Sequence, residues 1–206
     1  MSTTPRPTGH PDQVSPDAAL LSAAASGDNS ALTAALTAGA ALEARDAKGR
    51  TALLIAVLRA DVAMARLLVE HGADPNAIDD RNDTPWLATG VTGSVAMLET
   101  LLPAGPDLTL RNRYGGVSII PASERGHVEY VRRVVQTDID VNHLNDLRWT
   151  ALLEAVILGD GSRVYHEIVR ILLAAGADPL LADRDGVTAH EHALRLGHTA
   201  LAELLA

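Results

Sequence analysis

Asp79-Asp80-Arg81-Asn82-Asp83-Thr84-Pro85 is the stretch on which the reading of this chain turns. Thr84 offers a hydroxyl suited to cap a helix, and Pro85 suits the first helical position, where its fixed φ and missing N–H are tolerated. The charged residues before it form a turn. Asp46-Ala47-Lys48-Gly49-Arg50-Thr51-Ala52-Leu53 repeats the arrangement 33 residues earlier. Working outward at that spacing reaches Ala18, Val117 and Thr150, and Thr188 follows after one period and five extra residues. Six units result, at about 17–45, 46–78, 79–111, 112–144, 145–182 and 183–206. A period of this length marks an array of stacked supersecondary units.

Nine residues after each anchor stand Gly27, Ala60, Gly93, Gly126, Gly159 and Gly197; five after it stand Ala23, Ala56, Thr89, Ala122, Ala155 and Ala193. The small residue lets a short first helix lie close to its neighbours, and the residue at nine turns the chain into a second helix. That helix carries Leu67-Leu68, Leu101-Leu102, Val134-Val135, Leu172-Leu173 and Leu204-Leu205 on its apolar face. Gly39, Gly72, Gly105 and Gly176 then supply the cap conformation glycine adopts most cheaply, with Asp138 in that slot of the fourth unit. Together with Gly126-His127-Val128-Glu129-Tyr130-Val131 and Ala174-Ala175-Gly176-Ala177-Asp178-Pro179, these pieces resemble the ankyrin repeat over residues 17–206. Glu-Arg-Gly-His, Thr-Ala-Leu-Leu-Glu-Ala and the Gly-Asp-Gly turn look like a bacterial branch of it. The resemblance implies an all-α solenoid of antiparallel helix pairs with protruding turns and a concave binding face. The family's usual histidine three places after the threonine is replaced by Leu54, Leu87, Ile120, Leu153 and Glu191, so apolar packing is expected to replace its hydrogen bonds between units.

Composition narrows the function. The chain has 206 residues, 17 basic and 26 acidic, for a net charge of −9. It lacks cysteine, which excludes disulfides, thiolate metal sites and Cys nucleophiles, and it lacks phenylalanine. Its aromatics are Trp86, Trp149, Tyr114, Tyr130 and Tyr165, too few in an acidic chain for base stacking; no nucleic-acid partner is expected. No apolar run reaches the ~18 residues of a membrane span, so no membrane partner is expected. Residues 1–16 hold Pro5, Pro7, Pro11 and Pro16 and read as a disordered tail. Without a basic region before Ala18–Ala25, a cytoplasmic location is the default. The eight histidines show no metal spacing, and His190-Glu191-His192 lacks the i, i+4 arrangement of zinc helices. Neither a metal nor a cofactor is expected.

The resemblance implies that residues four, three and one before the threonine, and seven and eight after it, face the groove. In this sequence they include Lys48, Arg50, Arg59, Arg81, Arg113, Arg125, Arg184 and Arg195 against Asp80, Asp83, Glu124, Asp146 and Asp185. This basic excess suits a protein partner with acidic groups; equally, such side chains pair with one another and keep the solenoid soluble. Tyr114 shares the face, and Leu147, Trp149, Ile157 and Leu158 form an apolar group on it in the fifth unit as candidate anchors. Trp149 alternatively covers the apolar edge of a turn.

The repeat breaks its own pattern between units four and five. Tyr114, Glu124, Arg125, His143, Trp149, Glu154 and Asp160 are expected to converge there, and the five-residue insertion near Asp160-Gly161-Ser162-Arg163 is expected to rise beside the groove as a loop. Two functions follow. The first is a non-catalytic protein-binding module whose groove uses Arg81, Arg113, Tyr114, Glu124, Arg125, Asp146, Leu147, Trp149, Ile157, Leu158 and Arg184. The second is a small-molecule or enzymatic pocket with Glu124 and Glu154 as acid–base groups beside His143 and Tyr114. Glu154 and His192, in one slot of adjacent units, can instead hydrogen-bond across the stack. A third reading is self-association, because Leu204-Leu205-Ala206 leaves apolar surface on the last unit.

Overall fold

The computed structural model describes residues 14–206, in which twelve α-helices pair into six hairpins. The first helices are α1 (Pro16–Ser26), α3 (Ala52–Leu58), α5 (Pro85–Thr92), α7 (Ile119–Glu124), α9 (Ala151–Ile157) and α11 (Ala189–Arg195). The second helices are α2 (Asn29–Thr37), α4 (Val62–Glu70), α6 (Val95–Leu101), α8 (Val128–Val134), α10 (Arg163–Ala174) and α12 (Thr199–Leu204). No strand forms among the described residues; one isolated antiparallel bridge joins Ala182 and Thr188. The expected tail, 1–16, lies outside the described residues except for its last three. Of these, Ser15 caps α1, accepting from the Ala18 N–H, and Pro16 opens it.

Helices this short are unstable alone and persist because neighbours bury them. Each first helix packs on the first helix of the next unit, from α1 to α11, and the second helices stack likewise from α4 to α12. Six consecutive residues of α3, Ala52–Val57, are buried. The small residues at the fifth position after the anchor, Ala23, Ala56, Thr89, Ala122, Ala155 and Ala193, are all buried at these contacts. Thr51, Thr84, Thr150 and Thr188 each cap a first helix by accepting the N–H three residues on. Val117 offers no such hydroxyl, and α7 starts two residues later without a side-chain cap.

The turns between units are built alike. Asp46, Asp79, Asn112, Asn145 and Asp183 each accept, on one side-chain oxygen, the backbone N–H groups two and four residues on. Adjacent turns are joined where Asp80 N donates to the Lys48 carbonyl and Asp146 N to the Tyr114 carbonyl. Leu54, Leu87, Ile120 and Leu153 are buried, as apolar replacement of the family histidine requires. Polar ties between units nevertheless persist elsewhere: Glu43, Asn76 and Asn142 accept N–H groups of Asp74, Asp107 and Asp178 in the following unit.

The insertion departs from expectation. Residues 158–162 make a connection only two residues longer than 59–61, and the remaining extra residues lengthen α10 to 12 residues, against 9 in α4. The added residues are Arg163, Val164 and Tyr165 at the start of α10; Ile168, Val169 and Leu172 match Met64, Ala65 and Leu68 of α4 and are buried as those are. The last unit also differs. Leu205 is 7% exposed and Leu204 packs against the core, so these two leucines are covered, whereas Leu194 and Leu196 of the same unit stay 54% and 47% exposed.

Candidate functional site

The turns of units three and four and the ends of α3, α5, α7 and α9 enclose a cavity of about 290 Å³. Arg81, Asp83, Asn112, Arg113 and Tyr114 contribute from the turns; Leu58, Val91, Ile120, Pro121, Glu124, Arg125 and Glu154 contribute from the helices. Positions before and after the repeat threonine therefore share one face. Tyr114, Glu124, Arg125 and Glu154 meet there as expected, with Arg81 and Arg113.

His143, Trp149 and Asp160 do not join them. The His143 ring lies 2.7 Å from the Gly115 carbonyl through Nε2 and spans two turns. Trp149 is half-buried against the core, as is Ile157. Asp160 accepts the Ser162 N–H at the start of α10. Leu147 and Leu158, 49% and 50% exposed, lie farther along the stack, and Arg184 donates to the Asp146 carbonyl.

Electrostatics separate the lining into two layers. Arg81, Arg113, Tyr114 and Arg125 are exposed; Glu154 is buried. Arg113 lies over the Tyr114 ring at 4.4 Å and reaches Asp83 at 3.4 Å. Burial pushes the Asp83 carboxyl up, assisted by Asp79 and opposed by Arg113 and Arg81. Glu154 accepts from Asn145 Nδ2 at 2.9 Å. Its carboxyl is pushed up to about 7, first by burial and then by the Glu124 charge, with the Asn145 bond opposing.

The expected Glu154–His192 bond across the stack is absent. His192 Nε2 lies 2.7 Å from Asp183 Oδ2, and Glu154 turns to Asn145, so each pairs within its own unit. The reason is register: the turn residue five before the threonine sits beside the helix residue four after it, as Asn145 and Asp183 show. Asn142-His143-Leu144-Asn145 is visible in the sequence as a break from Asn76-Ala77-Ile78-Asp79, but Asn145 is not among the expected site residues. Nor is Tyr165, which the lengthened α10 carries to the end of α7. Its hydroxyl donates to the Glu124 carbonyl at 2.9 Å.

Stacked helical hairpins, repeated turns and a cavity on the face they share define a repeat solenoid. The profile for ankyrin repeats (3 copies) matches residues 20–112, 86–183 and 119–206. The chain belongs to the ankyrin repeat family. It is 38% identical to the ankyrin repeat protein YahD of Escherichia coli (strain K12) over 186 residues, covering 90% of this chain and 92% of that protein. A solved ankyrin repeat domain from Acinetobacter baumannii AYE superposes with a TM-score of 0.87 at 46% identity, covering 90% of this chain and 95% of that one. The solved ankyrin repeat protein EF0377 gives 0.88 at 36%, covering 92% and 96%. Repeats of this family are in general protein–protein interaction modules. No helix of the described residues is long and apolar enough to cross a membrane.

Proposed function

We propose that this chain is a non-catalytic binding module that holds a protein partner along the face shared by its turns and first helices. One observation carries the reading. Large apolar side chains left in water recur at the groove positions of units two, four, five and six: Leu58, Tyr114, Leu147, Leu158 and Leu196 are 45–59% exposed. A stripe of this kind supplies the contact area of an interface. Charge supports a partner carrying acidic groups. Arg50 and Arg113 are held by Asp46 and Asp83, whereas Lys48, Arg81, Arg125 and Arg195 make no ion pair among the described residues.

The test is affinity capture from the native cell. A specific partner is expected on the wild type and on an outer-helix control, Arg170→Ala, and is expected to be lost from Tyr114→Ala/Arg125→Ala. Equal capture by all three would overturn the assignment.

A second reading, acid–base chemistry at Glu124 and Glu154, has one supporting observation: a carboxyl that titrates near 7 is suited to exchange protons at neutral pH. The position of His143 outside the cavity removes its third expected participant. Self-association retains Leu180 and Leu194, 78% and 54% exposed, as its support, and sedimentation at high concentration tests it.

A further inference from the structure

Three carboxylates of the described residues are buried: Asp79, Glu154 and Asp183. Asp79 is satisfied by the N–H groups of Arg81 and Asp83. Asp183 accepts from Asp185 and Val187 and also meets His192. Glu154 differs. It is 8% exposed. Where Asp79 accepts two backbone N–H groups and Asp183 two and an imidazole, Glu154 accepts a single hydrogen bond, from the neutral Asn145 amide. Glu124, whose charge bears on it, makes no ion pair either. Both line the cavity, whose walls include Leu58, Val91 and Ile120. Buried charge without a counter-charge is costly, and an incoming cation would relieve it.

The cavity's volume is at the small end for ligand pockets and fits an inserted side chain. Its two carboxylates stand on different helices, α7 and α9, rather than forming a single fork. A compact ammonium with three rotatable donors serves two separate acceptors better than a planar guanidinium does. The exposed arginines around the opening favour carboxylates beside that cation.

We propose that the cavity receives a lysine side chain of the bound protein, its ammonium between Glu124 and Glu154, its methylenes against Leu58, Val91 and Ile120, and neighbouring acidic residues at Arg81 and Arg125. This rests on the groove-binding reading above. The site thereby combines an acidic floor with a basic rim, and the preferred segment is acidic with a central lysine.

The test is carbonyl-labelled NMR of the full chain with acetyl-Glu-Lys-Glu-amide, its norleucine counterpart, and butane-1,4-diamine. The lysine peptide is expected to shift the Glu124 and Glu154 carboxyl signals saturably and to move the Glu154 titration to lower pH. The norleucine peptide is expected to bind at least about tenfold more weakly, as is the lysine peptide to Glu154→Gln, since charge-assisted bonds are lost. Equal binding of the lysine and norleucine peptides overturns the proposal. Binding of the diamine without the lysine peptide overturns it too, in favour of a free amine. Partner capture that fails with Tyr114→Ala/Arg125→Ala but is unchanged in Glu124→Gln/Glu154→Gln defeats the lysine seat alone. Lysine-peptide binding without any groove-dependent protein partner defeats the groove reading and leaves the ammonium seat.

Discussion

Asn145 with Glu154 and Asp183 with His192 occupy the same two slots in neighbouring units, with different electrostatics. In the sixth unit the imidazole beside Asp183 helps hold that carboxyl below its ordinary value, after the larger effect of the Val187 N–H. In the fifth unit Glu154 faces only an amide and is raised from 4.5 to about 7, chiefly by burial. The folded chain therefore holds a proton that the unfolded chain releases. This contribution to stability is complete below the ordinary glutamate value and is lost as pH rises to about 7. The full loss is on the order of 3 kcal/mol. Glu154→Gln is expected to recover about that much at pH 8 and little at pH 4, as measured by urea unfolding at both. An equal change at the two pH values would defeat the argument. Both breaks in the repeat are visible in the sequence. Which partner each side chain finds is not, because that depends on how closely the turn approaches its own first helix.

Elements α5 and α7 show why a repeat tolerates one unit without its threonine. Val117 provides no cap, and the chain around Ser118 is drawn against α5. Gly90 makes the approach possible: a Cβ there would stand 1.9 Å from the Ser118 carbonyl oxygen. Beside it the Thr89 hydroxyl lies 2.7 Å from the Tyr130 hydroxyl, both fully buried, which ties α5 to α8. Burial pushes the Tyr130 phenol up to about 12, so it stays protonated. Gly90→Ala sets two effects against each other. Alanine in a helix interior is favoured by about 1 kcal/mol, while forcing a methyl into packed backbone costs up to about 3 kcal/mol. The clash is expected to win, with a net loss of about 2 kcal/mol in chemical denaturation; a gain in stability would show that the units separate freely. The helix pairs, their order and four of the caps were legible from Thr51, Thr84, Thr150 and Thr188. The fate of the insertion was not. Asp160-Gly161-Ser162 reads as a loop and is one, but only two of the five extra residues stay in it, and Arg163, Val164 and Tyr165 add a turn to the start of α10.

At the scale of the whole molecule, stability belongs to interfaces between units rather than to any unit alone. First helices of six to eleven residues are too short to persist alone, and their apolar side chains are hidden by their own second helix and by the units on either side. An array of this kind opens from the places where one neighbour is missing or weak. The described ends show that weakness. Among first helices, α1 and α11 bury three and two residues, against six in α3, α5 and α9. Among second helices, α2 and α12 bury two each, against three in α4, α6 and α8. The cavity lies inside the array, on units whose first helices are covered from both sides, so its geometry is held while the ends fray. Native-state amide hydrogen exchange is expected to show it: amides of α2 and α12 should exchange at least about tenfold faster than those of α3, α5 and α9, with α7 grouping with the protected set. Uniform protection along the chain would mean that all six hairpins open together, and the cavity would then be no better held than the ends.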